Sequence, residues 1–338
     1  MTSVLKAPAA PLHRLAQLVE ATLRQADNGL DGCADVICRK VLRIKPAPVP
    51  PRELNDPTPE ANLDIEVQRA YRHDTLWAIP PMWWEMALGG VGAATFTASA
   101  ATGSVPGMCV GWTLGAGGKG ALLLLDLGRP ERVWRVFAKP GASWIARGSW
   151  AFAAFAVGGA AAIGLRLVGA KTPANVAAAT AAAASAVVVS YDGFFLNRSA
   201  AVSGWESPYL PGLFAANAAV AGTVLTGALT QRPTGWLSAG AVAAAAATAG
   251  LASAHLDNLK HSDAAARMTR DELVEGVQQP NFVLGGGAIG TLLPALLALL
   301  GAGTRSRTAW WLAATLSSLG VLLSRKAVLK SGIHAPVI

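Results

Sequence analysis

From Met82 onward the chain is dominated by apolar runs, each close to the roughly 20 residues that a helix needs to cross a hydrocarbon core. Eight such segments can be drawn, at 82–102, 108–127, 144–168, 174–196, 209–229, 236–256, 282–302 and 308–324. Composition agrees with this reading. Of 338 residues, 52% are hydrophobic and 14% charged, with a mean hydropathy of +0.39, whereas soluble domains carry about 25% charged residues. The expected fold is all-α and polytopic, with two four-helix bundles in a lipid bilayer at 77–202 and 203–338. Alanine-rich stretches at 177–186 and 241–249 then read as small-residue faces on which membrane helices pack closely.

Residues 1–76 differ from the rest. They carry ten Lys/Arg and ten Asp/Glu, and no charged start followed by an apolar stretch reads as a cleavable signal. Leu12, Leu15, Leu18, Val19, Ala21 and Leu23 have rough helical spacing, while six prolines between Lys45 and Glu60 favour extended chain. The segment as a whole is expected to be largely extended, a strap for a partner. Three cysteines, Cys33, Cys38 and Cys109, suit neither a disulfide framework nor an iron–sulfur cluster. Cys33 and Cys38 with His13 match no familiar zinc spacing, so no metal is expected in this chain.

The net charge of +8 lies entirely after residue 76. An even number of crossings puts both ends on one face, and thirteen Lys/Arg fall on that face against five (Arg166, Lys171, Arg232, Arg305, Arg307) opposite. This asymmetry predicts cytoplasmic termini in a cytoplasmic (inner) membrane. No basic run is interleaved with aromatic residues, which argues against a nucleic-acid partner.

Ionisable groups inside a membrane are costly and are where chemistry is sought. Glu85 lies about one turn into the first segment, Lys119 in the middle of the second within Gly115–Gly120, Asp126 at its end, and Tyr191 and Asp192 in the last third of the fourth. Reading the segments as alternating in direction brings these groups to similar depth near one face. An apolar slot, a phenol donor and exchangeable carboxylates suit a lipophilic redox substrate that takes up protons. The plainer reading is that Glu85 and Asp192 pair with Lys119 or Arg147 and hold helices together. Trp83, Trp84, Trp310 and Trp311 read as interfacial anchors, Trp84 also bordering the slot. His73 stands just ahead of the first segment, where it can cap such a slot. Only His255 of the five histidines falls within a segment, so paired axial ligands for a membrane haem are missing.

The connection after the second segment reads Leu125-Asp126-Leu127-Gly128-Arg129-Pro130-Glu131-Arg132, followed by Ser143-Trp144-Ile145 and then Arg147 and Trp150. Ser190-Tyr191-Asp192-Gly193 and Gly204-Trp205-Glu206-Ser207-Pro208-Tyr209-Leu210-Pro211 follow later. Over roughly residues 80–330 this pattern resembles the NrfD/polysulfide-reductase membrane-subunit family. The resemblance implies a haem-free, eight-helix subunit that exchanges electrons with menaquinone or ubiquinone. Its implied partners are a four-cluster ferredoxin-like iron–sulfur subunit and a molybdenum or tungsten bis-pterin catalytic subunit. It carries Tyr191 over to a fourth-helix tyrosine that contacts quinone and puts the family's first-helix polar position near Glu85, while Lys119 departs from the pattern. On this reading Glu85 and Asp192 are expected to exchange protons, Trp84, His73, Arg147 and Trp150 to line the quinone site, Lys119 and Asp126 to lie on a proton route, and Arg129, Glu131 and Arg132 to dock the partner. A secondary transporter and a passive anchor are the rival readings. The fifth to eighth segments are expected to hold almost no internal charge.

Overall fold

A computed structural model of the chain describes residues 9–36, 80–126, 133–138, 143–198, 202–230, 233 and 235–332, and no strand forms among them. His73, Cys38, the proline-rich 45–60 stretch, Arg129, Glu131 and Arg132 lie outside the described residues. The described chain is an all-α assembly of α1 (Ala9–Val36), α2 (Pro80–Thr102), α3 (105–126), α4 (Trp134–Ala138), α5 (Trp144–Leu167), α6 (Lys171–Asn197), α7 (Leu210–Leu229), α8 (Gly235–His261), α9 (Ala264–Val274), α10 (280–304) and α11 (Arg307–Gly332). Two of these contain π-helical stretches, Thr113–Gly118 in α3 and Pro280–Leu292 in α10.

Helix ends follow local chemistry. Ser143 and Asp263 accept backbone N–H bonds from Ala146 and Ala266 at 3.1 and 2.7 Å, capping α5 and α9. Gly103 and Gly169, with φ of 73° and 78°, make the left-handed turns after α2 and α5.

Seven helices, α3, α5, α6, α7, α8, α10 and α11, are long and apolar enough to cross a membrane. Beside these seven, α2 has 23 residues and an approximate rise of 34 Å. Its apolar character is diluted by Pro, Gly, Thr, Ser and Glu85, and it runs through the centre of the assembly instead of along its rim. It packs on α3 and α6 within the first group of four and on α7 and α11 of the second, so the two groups meet along α2. Gly92 of α2 abuts Gly115 of α3, a contact that a Cβ at position 92 would block. Exposed Val157, Leu167, Leu296, Leu300 and Leu312 form the outer surface, as expected of an integral membrane protein.

The ends of α2 and α11 share one face. Lys330 Nζ lies 5.4 Å and Lys326 Nζ 6.0 Å from the ring centroid of Trp83.

Three sequence expectations need correction. The helical spacing read over 12–25 is part of a longer helix, residues 9–36: no proline interrupts 12–36, and the helix seats on this chain's own surface. Lys326 Nζ pairs with Asp27 Oδ2 at 2.8 Å and Asp31 Oδ1 at 2.7 Å, one helical turn apart, and Leu30 packs against the core. Trp83 and Trp310 are 1% and 0% exposed, so they are core residues and not anchors, while Trp311 remains exposed. The last helix continues past 324 to Gly332, which takes Arg325 and Lys326 out of the loop charge count and into the helix. The second group therefore does hold internal charge, because both side chains are buried.

Candidate functional site

Glu85 stands five residues into α2 and Asp192 five residues before the end of α6, each about 8 Å inside its helix end. Lys119 reaches both from α3. Its Nζ makes an ion pair with Glu85 Oε1 and donates to Asp192 Oδ1 at 3.0 Å. All three residues are 4–5% exposed. The long lysine chain finds its path beside Gly89, one turn after Glu85 on the same face of α2, where any Cβ would strike the lysine Cδ.

Two carboxylates and one ammonium leave the cluster one positive charge short of neutrality. Burial makes that imbalance matter, since charges removed from water are costly unless compensated. The arrangement is a three-helix clamp that gathers three charged side chains in one buried spot.

Tyr191 precedes Asp192 and feels the charges of Asp192, Lys119 and Glu85. Its half-buried ring lies in the notch that Gly148 of α5 leaves, close enough that a Cβ there would overlap it, and it stacks with Phe195 at 6.1 Å. Trp84 is half-buried beside Glu85 in sequence, and its indole N–H is buried without a hydrogen-bond acceptor. An unsatisfied buried donor is a place for a ligand oxygen.

The remaining sequence-derived residues are placed differently. Arg147 is exposed, with its guanidinium 4.8 Å over the Trp144 ring, and Trp144 in turn stacks on Phe194. Trp150 is exposed and donates to Phe137 O at 3.3 Å. Both lie on the outer side of α5 instead of in the ion cluster. Asp126 closes α3, its side chain lying outside the described residues. Trp205, from the Gly204–Pro211 stretch, is buried and donates to Val328 O at 2.9 Å, tying that loop to α11.

Sequence reasoning missed Arg325 and Lys326. The signal available was Ser324-Arg325-Lys326 continuing the spacing of α11, but charge was taken as the mark of a helix end. Among the described residues no group of His, Cys, Asp and Glu gathers as a metal site. No protein-family model matches the chain, and no curated protein matches it.

Proposed function

We propose that the chain is the haem-free, quinone-reactive membrane subunit of a multi-subunit oxidoreductase of the NrfD/polysulfide-reductase kind. The observation that carries this reading is the buried Glu85–Lys119–Asp192 cluster beside Tyr191, one positive charge short of neutrality and near the face where α2 begins and α11 ends. Reducing a quinone to a quinol consumes two electrons and two protons, one proton for each carbonyl oxygen. In the proposal Tyr191 donates a hydrogen bond to a carbonyl, the indole N–H of Trp84 supplies a second donor, and the carboxyl pair passes protons. Electrons come from a ferredoxin-like iron–sulfur subunit, itself served by a molybdenum or tungsten pterin subunit. That partner docks on the face where α2 begins and α11 ends, taken as the cytoplasmic face of a cytoplasmic membrane.

A secondary transporter is the rival with an observation behind it, since α3 and α10 both contain π-helical stretches. Counting from α2, those helices are second and seventh of the eight long helices that follow α1, which are not equivalent positions in two halves, so the redox reading is preferred.

The test is binding of a short-chain quinone to the full chain in detergent, read by quenching of tryptophan fluorescence. Saturable binding weakened about tenfold by Tyr191→Phe supports the proposal. Binding that is absent or unchanged in the variant contradicts it.

A further inference from the structure

A second feature lies in the other half of the molecule. Leu213, Phe214 and Asn217 of α7, Thr248 to Leu256 of α8, the start of α10 and Ser324 to Val328 of α11 enclose a cavity of about 240 Å³. Its walls are mainly apolar. At its inner side stands Arg325, 1% exposed, whose Nη2 donates to Phe214 O at 2.8 Å and whose guanidinium lies 3.5 Å over the Phe214 ring. Nε and Nη1 of the same group are buried with no acceptor. Among the described residues no carboxylate approaches Arg325 within ion-pair distance; Asp192 acts on it only at longer range and is already bound to Lys119.

The other polar groups of the cavity are satisfied among themselves. Asn217 Nδ2 donates to Thr291 Oγ1 at 3.1 Å and Ser324 Oγ donates to Asn217 Oδ1 at 3.1 Å. The unmet demand is thus a fixed cation with free donors, which a guanidinium meets best with a carboxylate or other oxyanion. Two lining residues, Ser253 of α8 and Val283 of α10, are exposed on helices long and apolar enough to cross a membrane, so the cavity reaches the surface between these two helices. The π-helical turn around Gly286 and Gly287 forms part of its wall.

A ligand that enters from the bilayer, has an apolar body and carries one anionic head fits all of these features. We propose that the cavity binds a single-chain carboxylate from the membrane, its head on Arg325 and its chain leaving between α8 and α10. At this volume only the head and the first part of one chain are enclosed, too little room for a glycerophosphate head with two chains. The cavity is lined by residues other than those of the quinone site proposed above, although Asp192 of that site acts on Arg325 at longer range.

The experiment is equilibrium binding of isotope-labelled palmitate to the full chain in detergent, with phosphatidylglycerol and a short-chain quinone as competitors. Saturable binding near one per chain is expected, weakened roughly tenfold or more by Arg325→Met and largely kept by Arg325→Lys. Ala252→Leu fills the cavity without touching the arginine and is expected to abolish binding, so the result does not hang on one variant's stability. Tyr191→Phe is expected to leave palmitate binding unchanged. Binding indifferent to Arg325→Met and Ala252→Leu overturns the proposal. Equal competition by phosphatidylglycerol assigns the site to a lipid phosphate, and displacement by the quinone makes it a quinone pocket; either result overturns it too.

Discussion

Lys119 Nζ lies 3.0 Å from Asp192 Oδ1, a bond that joins the middle of α3 to the end of α6 and, through Glu85, to α2. Three helices are thereby held at one depth by a single buried ammonium. Removing it leaves two buried carboxylates without a cation, a loss of about 3–5 kcal/mol where a buried pair is broken from one side. Lys119→Met is expected to lower the thermal unfolding midpoint of the detergent-solubilised protein markedly. The triple variant Glu85→Gln, Lys119→Met, Asp192→Asn is expected to recover most of the loss.

If the same cluster moves protons, charge is needed for turnover as well as for stability. Glu85→Gln in the assembled complex is expected to slow quinone reduction by about tenfold or more, the usual contribution of a positioned acid or base. Reaction of the complex with a soluble acceptor should not change. A passive anchor predicts no difference in either assay.

Gly148 sets the position of Tyr191, because a Cβ at 148 would meet the phenol ring. Gly148→Ala is expected to reduce quinone turnover in the same direction as Tyr191→Phe. Combining the two should add little, since they remove one interaction. Additive losses in that double-mutant cycle would separate Gly148 from the tyrosine.

The sequence pattern made the helices legible because each is a long apolar run, and the alternating direction of the spans put Glu85, Asp126, Tyr191 and Asp192 at similar depth before any coordinates, with Lys119 read only as a charge in the middle of its segment. Long-range pairing was less legible. That Lys119 and not Arg147 holds both acids follows from the passage beside Gly89, a packing fact between helices that no local pattern encodes. Lys326 was hidden for a related reason: its counterions, Asp27 and Asp31, come from a segment nearly 300 residues earlier in the chain. Trp83 and Trp310 misled because a tryptophan near a helix end reads as an anchor unless the neighbouring helix is known.

The Lys326 bridge has its own consequence. Lys326→Met is expected to release α1 from the membrane-spanning body, read as faster amide hydrogen exchange over residues 14–32 with the exchange of α7 unchanged. Unaltered protection of α1 would mean that Leu30 and its apolar contacts hold it alone.

Outside the membrane-spanning segments, burial raises the Glu272 carboxyl above its usual range, against a smaller lowering by backbone hydrogen bonds from Gln278 and Val277. The native state then holds this proton more tightly than the unfolded chain. Its contribution to stability is complete below the unfolded value and is lost as pH rises through the native one. Glu272→Gln is expected to flatten that decline in unfolding midpoint between mildly acidic and neutral pH.

The most direct test of the central claim is mass spectrometry of the detergent-extracted native complex, with solvent extraction of bound lipids. An iron–sulfur subunit and a pterin-dependent subunit are expected together with co-purified quinone, and that quinone is expected to be lost in Tyr191→Phe. A lone polypeptide carrying neither redox partners nor quinone would contradict it.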